Sequence, residues 1–124
     1  MAKKVLVVDD EPYMLEILKT RLESSGYGVI TAVNGEDCLK KAADVIPDLI
    51  LMDILLPGMS GFEVAKRLKE NDLTKDIPII MVTALMGEDA VAKGLKSGAT
   101  YFISKPFDSQ ELLDEIKKSL KEGK

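Results

Sequence analysis

The chain has 124 residues, 46% hydrophobic and 31% charged, with a net charge of −4, one cysteine and no histidine. That is enough for one domain with a real core and too little for two. It excludes a disulfide framework, histidine-based acid–base chemistry, histidine metal ligands and the basic footprint of a nucleic-acid binder.

The start of the chain imitates a signal peptide only briefly. Lys3 and Lys4 precede an apolar run at 5–8, but Asp9 and Asp10 end it, short of the ~7–15 residues a signal core requires. No stretch approaches the ~18 apolar residues of a membrane span. A cytoplasmic protein is expected, with no membrane partner and no direct nucleic-acid partner.

Residues 5–8 read as a short buried strand, rich in valine. Pro12 suits the first turn of a helix. Leu15, Leu18 and Leu22 form its inner face, and Ser24-Ser25-Gly26 stops it. Gly28–Ala32 reads as a second strand nearer the sheet edge. Asn34 caps a helix whose inner side is expected to carry Leu39, Ala42, Ala43 and Ile46, with Pro47 ending it. Cys38 falls inside that helix as a small buried apolar residue.

Leu49–Met52 is a continuous apolar run, as expected of a central parallel strand covered on both faces. It ends on Asp53, and Pro57-Gly58 turns the chain. Ser60 and Glu63 have capping-box spacing ahead of a helix burying Phe62, Ala65 and Leu68. Residues 78–82 form a fourth strand ending on Thr83-Ala84. Glu88–Ser97 is a short helix with a thin apolar face, Val91 and Leu95, and an interior Gly94 that makes it the weakest by propensity. Tyr101–Ser104 is the fifth strand. Asp108 and Glu111 open a last helix with Leu113, Ile116 and Leu120 inward.

Strands alternating with helices through short connections predict an α/β fold, a doubly wound five-stranded parallel sheet with five helices. The chain is expected to be a single domain over 1–124, with no output domain after the fifth helix. Ligands bind such sheets at the carboxyl ends of the strands. There the sequence collects Asp9 and Asp10, Asp53, Thr83 and Lys105. Four of them have an ordinary alternative: a strand-end turn for Asp53, a helix start for Asp10, a β-branched strand residue for Thr83, a solvated lysine for Lys105. Those alternatives leave their shared edge unexplained.

Three carboxylates at close quarters need counter-charge. Lys105 supplies one positive charge, and a divalent cation is the obvious second. All-oxygen donors favour Mg²⁺, which keeps several waters and takes a phosphate oxygen. A hydroxyl, an ammonium and a metal around a carboxylate are the parts that stabilise a transferring phosphoryl group. A carboxylate can itself accept that group as an aspartyl phosphate.

Over nearly its whole length the chain resembles the receiver domain of two-component response regulators. The resemblance is carried by Val7-Val8-Asp9-Asp10-Glu11, Leu51-Met52-Asp53 with Pro57-Gly58-Met59-Ser60-Gly61, Val82-Thr83-Ala84 and Lys105-Pro106-Phe107. It implies a flavodoxin-like sheet of order 2-1-3-4-5 and the chemotaxis-regulator type of single-domain receiver. It implies Asp53 as phosphoacceptor and Asp9 and Asp10 as the acidic pair placing Mg²⁺, with Mn²⁺ able to substitute. It also implies a metal ligand from the Leu55 backbone carbonyl, and Thr83 and Lys105 contacting the phosphoryl oxygens. Small Ala84 leaves access beside Thr83, and the Lys105-Pro106 bond is expected cis.

The same resemblance implies a switch. Thr83 moves toward the phosphoryl group and Phe102 fills the space, by packing alone because the ring lacks a hydroxyl. The changed surface is the Glu88–Ser97 helix, the fifth strand and the last helix, where a downstream protein binds. The implied phosphodonors are a histidine kinase, a histidine phosphotransfer protein or a small acyl phosphate, and the implied states are a monomer or a phosphorylation-dependent dimer. Leu55 and Leu85 flank the path of the hydrolytic water and offer it no polar partner, so slow autodephosphorylation is expected.

Three rivals share the fold or the chemistry. An FMN carrier is disfavoured because Asp9-Asp10 repels its phosphate. A haloacid-dehalogenase-type phosphatase lacks its Asp-x-Asp after the first strand. The third is a phosphate-independent module on the same fold, which usually loses one of the five site positions. All five are present here.

Overall fold

The structure is a computed structural model and describes residues 2–85 and 87–121. Five strands and five helices alternate without exception. They run β1 (Lys4–Val8), α1 (Pro12–Ser24), β2 (Gly28–Ala32), α2 (Gly35–Val45), β3 (Leu49–Met52), α3 (Gly61–Glu70), β4 (Ile79–Thr83), α4 (Glu88–Ser97), β5 (Tyr101–Ser104) and α5 (Ser109–Ser119). All strand pairs are parallel, in the order β2-β1-β3-β4-β5. The sheet order and the helix count are therefore those expected from the sequence.

Alternation along each strand divides the core in two. Leu6, Val8, Ile50, Met52, Ile79 and Met81 face one way, against α2 and α3 through Cys38, Ala42, Val64, Ala65 and Leu68. Val5, Val7, Leu49, Leu51, Ile80, Val82 and Ile103 face the other way, against Leu18, Leu22, Leu112 and Ile116 of α1 and α5. Continuous apolar runs follow directly, because both faces of β1, β3 and β4 are covered. β2 lies at the edge and is only half-buried along most of its length.

The helix caps are local chemistry. Asn34 accepts the Asp37 N–H, Ser60 the Glu63 N–H and Asp108 the Gln110 N–H, each satisfying a donor that the first turn leaves unpaired. Glu63 turns outward to Arg67, 2.9 Å away. Thr74, whose burial the sequence did not suggest, donates from Oγ1 to the Leu68 carbonyl at 2.7 Å and closes the end of α3.

Two inward expectations need correcting. Ile46 is 43% exposed rather than buried. The residue before a proline is pushed out of the right-handed helical region, so α2 ends at Val45 and Ile46 takes φ 51°, ψ 70° with its side chain toward water. Leu95 of α4 is likewise 50% exposed. A β-branched residue with positive φ carries roughly 1 kcal/mol of backbone strain. Ile46→Asn should therefore raise the melting temperature by about 4 °C. An unchanged or lower value would show that the residual burial of Ile46 outweighs its strain.

Candidate functional site

The strand register brings the polar residues together. Val8 of β1 pairs with Met52 of β3, so Asp9 and Asp53 leave the sheet side by side. Asp53 N donates to the Val8 carbonyl at 3.1 Å. One strand further, Thr83 of β4 pairs with Ser104 of β5, and Lys105 N donates to the Thr83 carbonyl at 2.9 Å. The side chain of Lys105 reaches back across β4 to the two carboxylates. Its Nζ donates to Asp9 Oδ2 at 2.7 Å and to Asp53 Oδ2 at 2.8 Å.

Each carboxylate is held at its other oxygen by the chain that follows it. Asp9 Oδ1 accepts the Glu11 N–H at 3.0 Å, and Asp53 Oδ1 the Leu55 N–H at 3.1 Å. Thr83 is fully buried, and its Oγ1 accepts the Leu85 N–H at 3.1 Å. The three strand-end residues thus share one motif, a side-chain oxygen closing a turn onto the amide two residues on. It fixes each side chain to its own following turn.

The electrostatics are unbalanced in a useful way. Asp9 and Asp53 are 2% and 7% exposed, and two carboxylates face one ammonium. Burial works against the charge on Lys105. Its hydrogen bonds to Asp53 and Asp9, and their fields, more than offset that, so its pKa lies above the ordinary lysine value. The remaining negative charge and the hard oxygen donors fit a divalent cation of the Mg²⁺ class. Asp10, next in the chain, is exposed. Among the described residues no three acidic, cysteine or histidine side chains converge on one metal position. Cys38 is packed into the core between the sheet and α2, where burial pushes its thiol up to about 12.

The other sequence-predicted residues lie around this centre. Ala84 is exposed beside Thr83, Leu55 and Leu85 are 57% and 37% exposed at the rim, and the Lys105-Pro106 bond is cis. Phe102 is half-buried on β5, packed on the α2–α3 side of the core.

One contributor entered the sequence reading only as a motif residue with no role assigned. Gly61 opens α3 and its N–H donates to the Ile54 carbonyl at 2.9 Å. A Cβ there would lie 2.5 Å from the carbonyl oxygen of Asp53. The available signal was a glycine directly after the cap residue Ser60, where any side chain is normally tolerated.

A family model described as the response regulator receiver domain matches residues 5–117. The chain belongs to that family. It is 45% identical over 121 residues to the phosphate regulon transcriptional regulatory protein PhoB of Pseudomonas aeruginosa, covering 98% of this chain and 53% of that one. The chain thus spans about half the length of PhoB. Among solved structures it resembles a response regulator from Chloroflexus aurantiacus with a TM-score of 0.93 at 36% identity, covering 98% and 99% of the two chains. It also resembles the receiver domain of a Pseudomonas aeruginosa sensor histidine kinase, with a TM-score of 0.90 at 26% identity and coverage of 98% and 99%. That receiver holds a magnesium ion coordinated in its active site cleft. No helix of the described residues is long and apolar enough to cross a membrane.

Proposed function

We propose that this receiver domain accepts a phosphoryl group on Asp53 and signals through the surface formed by α4, β5 and α5. The observation that carries it is the pair of buried carboxylates, Asp9 and Asp53, bridged by Lys105 Nζ. A carboxylate oxygen of Asp53 attacks phosphorus, and the bond to the leaving group of a histidine kinase, a histidine phosphotransfer protein or a small acyl phosphate breaks with its electron pair. Positioning and charge neutralisation are what such a transfer requires. Lys105, already within hydrogen-bond distance of Asp53, neutralises charge on the phosphoryl oxygens. Thr83 offers its hydroxyl from the neighbouring strand end.

Asp9, Asp10, the Asp53 carboxylate and the Leu55 carbonyl are the groups that would hold Mg²⁺. When bound it supplies the positive charge that Lys105 alone does not. On the output side, a cavity of about 360 Å³ is lined by Val91, Leu95, Thr100, Tyr101 and Phe102. Its exposed apolar rim suits a downstream protein partner.

The test is intact mass after incubation with acetyl phosphate, with and without Mg²⁺, beside Asp53→Asn. A metal-dependent gain of one phosphoryl group, lost in the variant, is expected. No gain in folded, Mg²⁺-containing samples, with a histidine kinase tried as well, would favour a phosphate-independent module. The same spectra followed over time check the rim. With leucine at 55 and 85 the phosphoryl group should persist well beyond minutes, and a half-life of seconds would count against the apolar rim as a barrier to water.

A further inference from the structure

Helix α4 buries little of its own side-chain surface. Its N-cap, Gly87, makes no side-chain cap, and its one fully buried residue is Gly94. Val91 is only half-buried and Leu95 is half exposed. Beside the half-buried Val91, what the helix sets against the sheet is bare backbone at Gly94, and the group that backbone meets is the ring of Phe102. A Cβ at position 94 would overlap the Cζ and Cε1 atoms of that ring. The helix also packs on α3, where Lys93 Nζ lies 4.9 Å from the centre of the Phe62 ring and the stem of Lys69 covers Gly98 at the far end.

Building on the phosphoacceptor assignment of Asp53, we infer that Gly94 is a seat for the Phe102 ring and that this seat is what fixes α4 to the sheet. Gly94 is then a positioning residue. A glycine in a helix interior lowers stability relative to alanine, and the contact supplies the reason for its presence, since only a residue without Cβ lets the ring lie on the helix backbone. The consequence is coupling. Phe102 lies on β5 three residues before Lys105, and Thr83 ends β4, the strand that precedes α4 in the chain. A ring that leaves its seat releases the helix, so ring position and helix order change together. Coupled order of this kind transmits a signal with little displacement of the sheet.

The first test needs no phosphate. Propensity alone predicts that Gly94→Ala raises the folded-to-unfolded ratio about fivefold. The seat predicts the opposite sign, a fall of about tenfold. It also predicts that the sign reverts in a Phe102→Leu background, where the overlapping ring atoms are gone. A rise in the single variant, or a fall that persists in the double variant, overturns the seat.

Amide hydrogen exchange then tests the coupling. Phe102→Ala should lose about tenfold protection across α4 while α1 and α2 keep theirs. Wild type treated with acetyl phosphate and Mg²⁺ should show the same pattern in samples whose mass confirms phosphorylation. Phosphorylated protein with unchanged α4 protection would overturn the coupling. Failure to gain a phosphoryl group would instead strike the assignment of Asp53, with the seat still decided by the stability cycle.

Discussion

Replacing Lys105 by methionine should destabilise the metal-free protein by about 3 kcal/mol and abolish phosphoryl gain from acetyl phosphate. Methionine keeps most of the apolar stem and removes the ammonium. Asp9 and Asp53, at 2% and 7% exposure, would then face each other with no cation between them. Most of the loss is the cost of orphaned buried charge, not the worth of the ion pair, which by itself is small once desolvation is counted. That distinction has a direct check by chemical denaturation. Adding Asp9→Asn to Lys105→Met should recover more than half of the loss, because one of the two stranded charges is gone. Additive destabilisation would show that the bridge itself, not the stranded charge, was the stabilising element.

The pH dependence has a definite sign. The Lys105 pKa is raised in the folded protein by Asp53 and Asp9 against the opposing effect of burial. A raised lysine binds its proton more tightly folded than unfolded, so its contribution is complete below the unfolded value of about 10.4. It is lost as pH rises through the folded value. The part of the stability difference between wild type and Lys105→Met that comes from the lysine's own proton should therefore be flat from neutral pH upward and shrink only above about pH 10.5. A difference that shrinks between pH 6 and 8 would mean that some other group sets it.

How far the sequence could be read follows from where information is local. The strands were legible because both faces of β1, β3 and β4 are buried, so residues 5–8 and Leu49–Met52 carry no alternation to confuse with a helix. The site was legible because a parallel sheet puts all carboxyl ends on one edge. Asp9, Asp53, Thr83 and Lys105 needed only strand assignment, and the register then brought Lys105 Nζ onto both carboxylates. Other features were not legible, and three of them show why. Ile46 sits at the right helical spacing to be inward, and only the geometry imposed by Pro47 turns it out. Gly94 looked like a simple weakness because its partner, Phe102, comes from a different element and periodicity within α4 says nothing about it. Gly61 was visible as a motif letter without a reason, since its contact is with backbone atoms of the loop it follows.

The second large effect concerns that last glycine. Gly61→Ala should slow phosphoryl gain on Asp53 about 100-fold, the scale expected when reacting groups are misplaced by an ångström. It should also lower stability by about 2 kcal/mol. The new Cβ would stand 2.5 Å from the Asp53 carbonyl oxygen, 2.7 Å from Ile54 Cα and 3.2 Å from the Asp53 carbonyl carbon. All three are main-chain atoms and cannot rotate aside, so either α3 backs away or the segment carrying Asp53 moves. The first breaks the Gly61 N–H to Ile54 carbonyl bond of 2.9 Å. The second shifts the carboxylate relative to Lys105 Nζ. Helix propensity pulls the other way, favouring alanine by up to about 1 kcal/mol, so any measured loss understates the collision. Gly58 in the same loop is the control. It has φ +75° and open space around its missing Cβ, so Gly58→Ala should cost about 1 kcal/mol in backbone strain and leave the rate of phosphoryl gain within a few-fold of wild type. Equal slowing in both variants would mean that loop flexibility, not the placement of Asp53 by Gly61, governs the transfer.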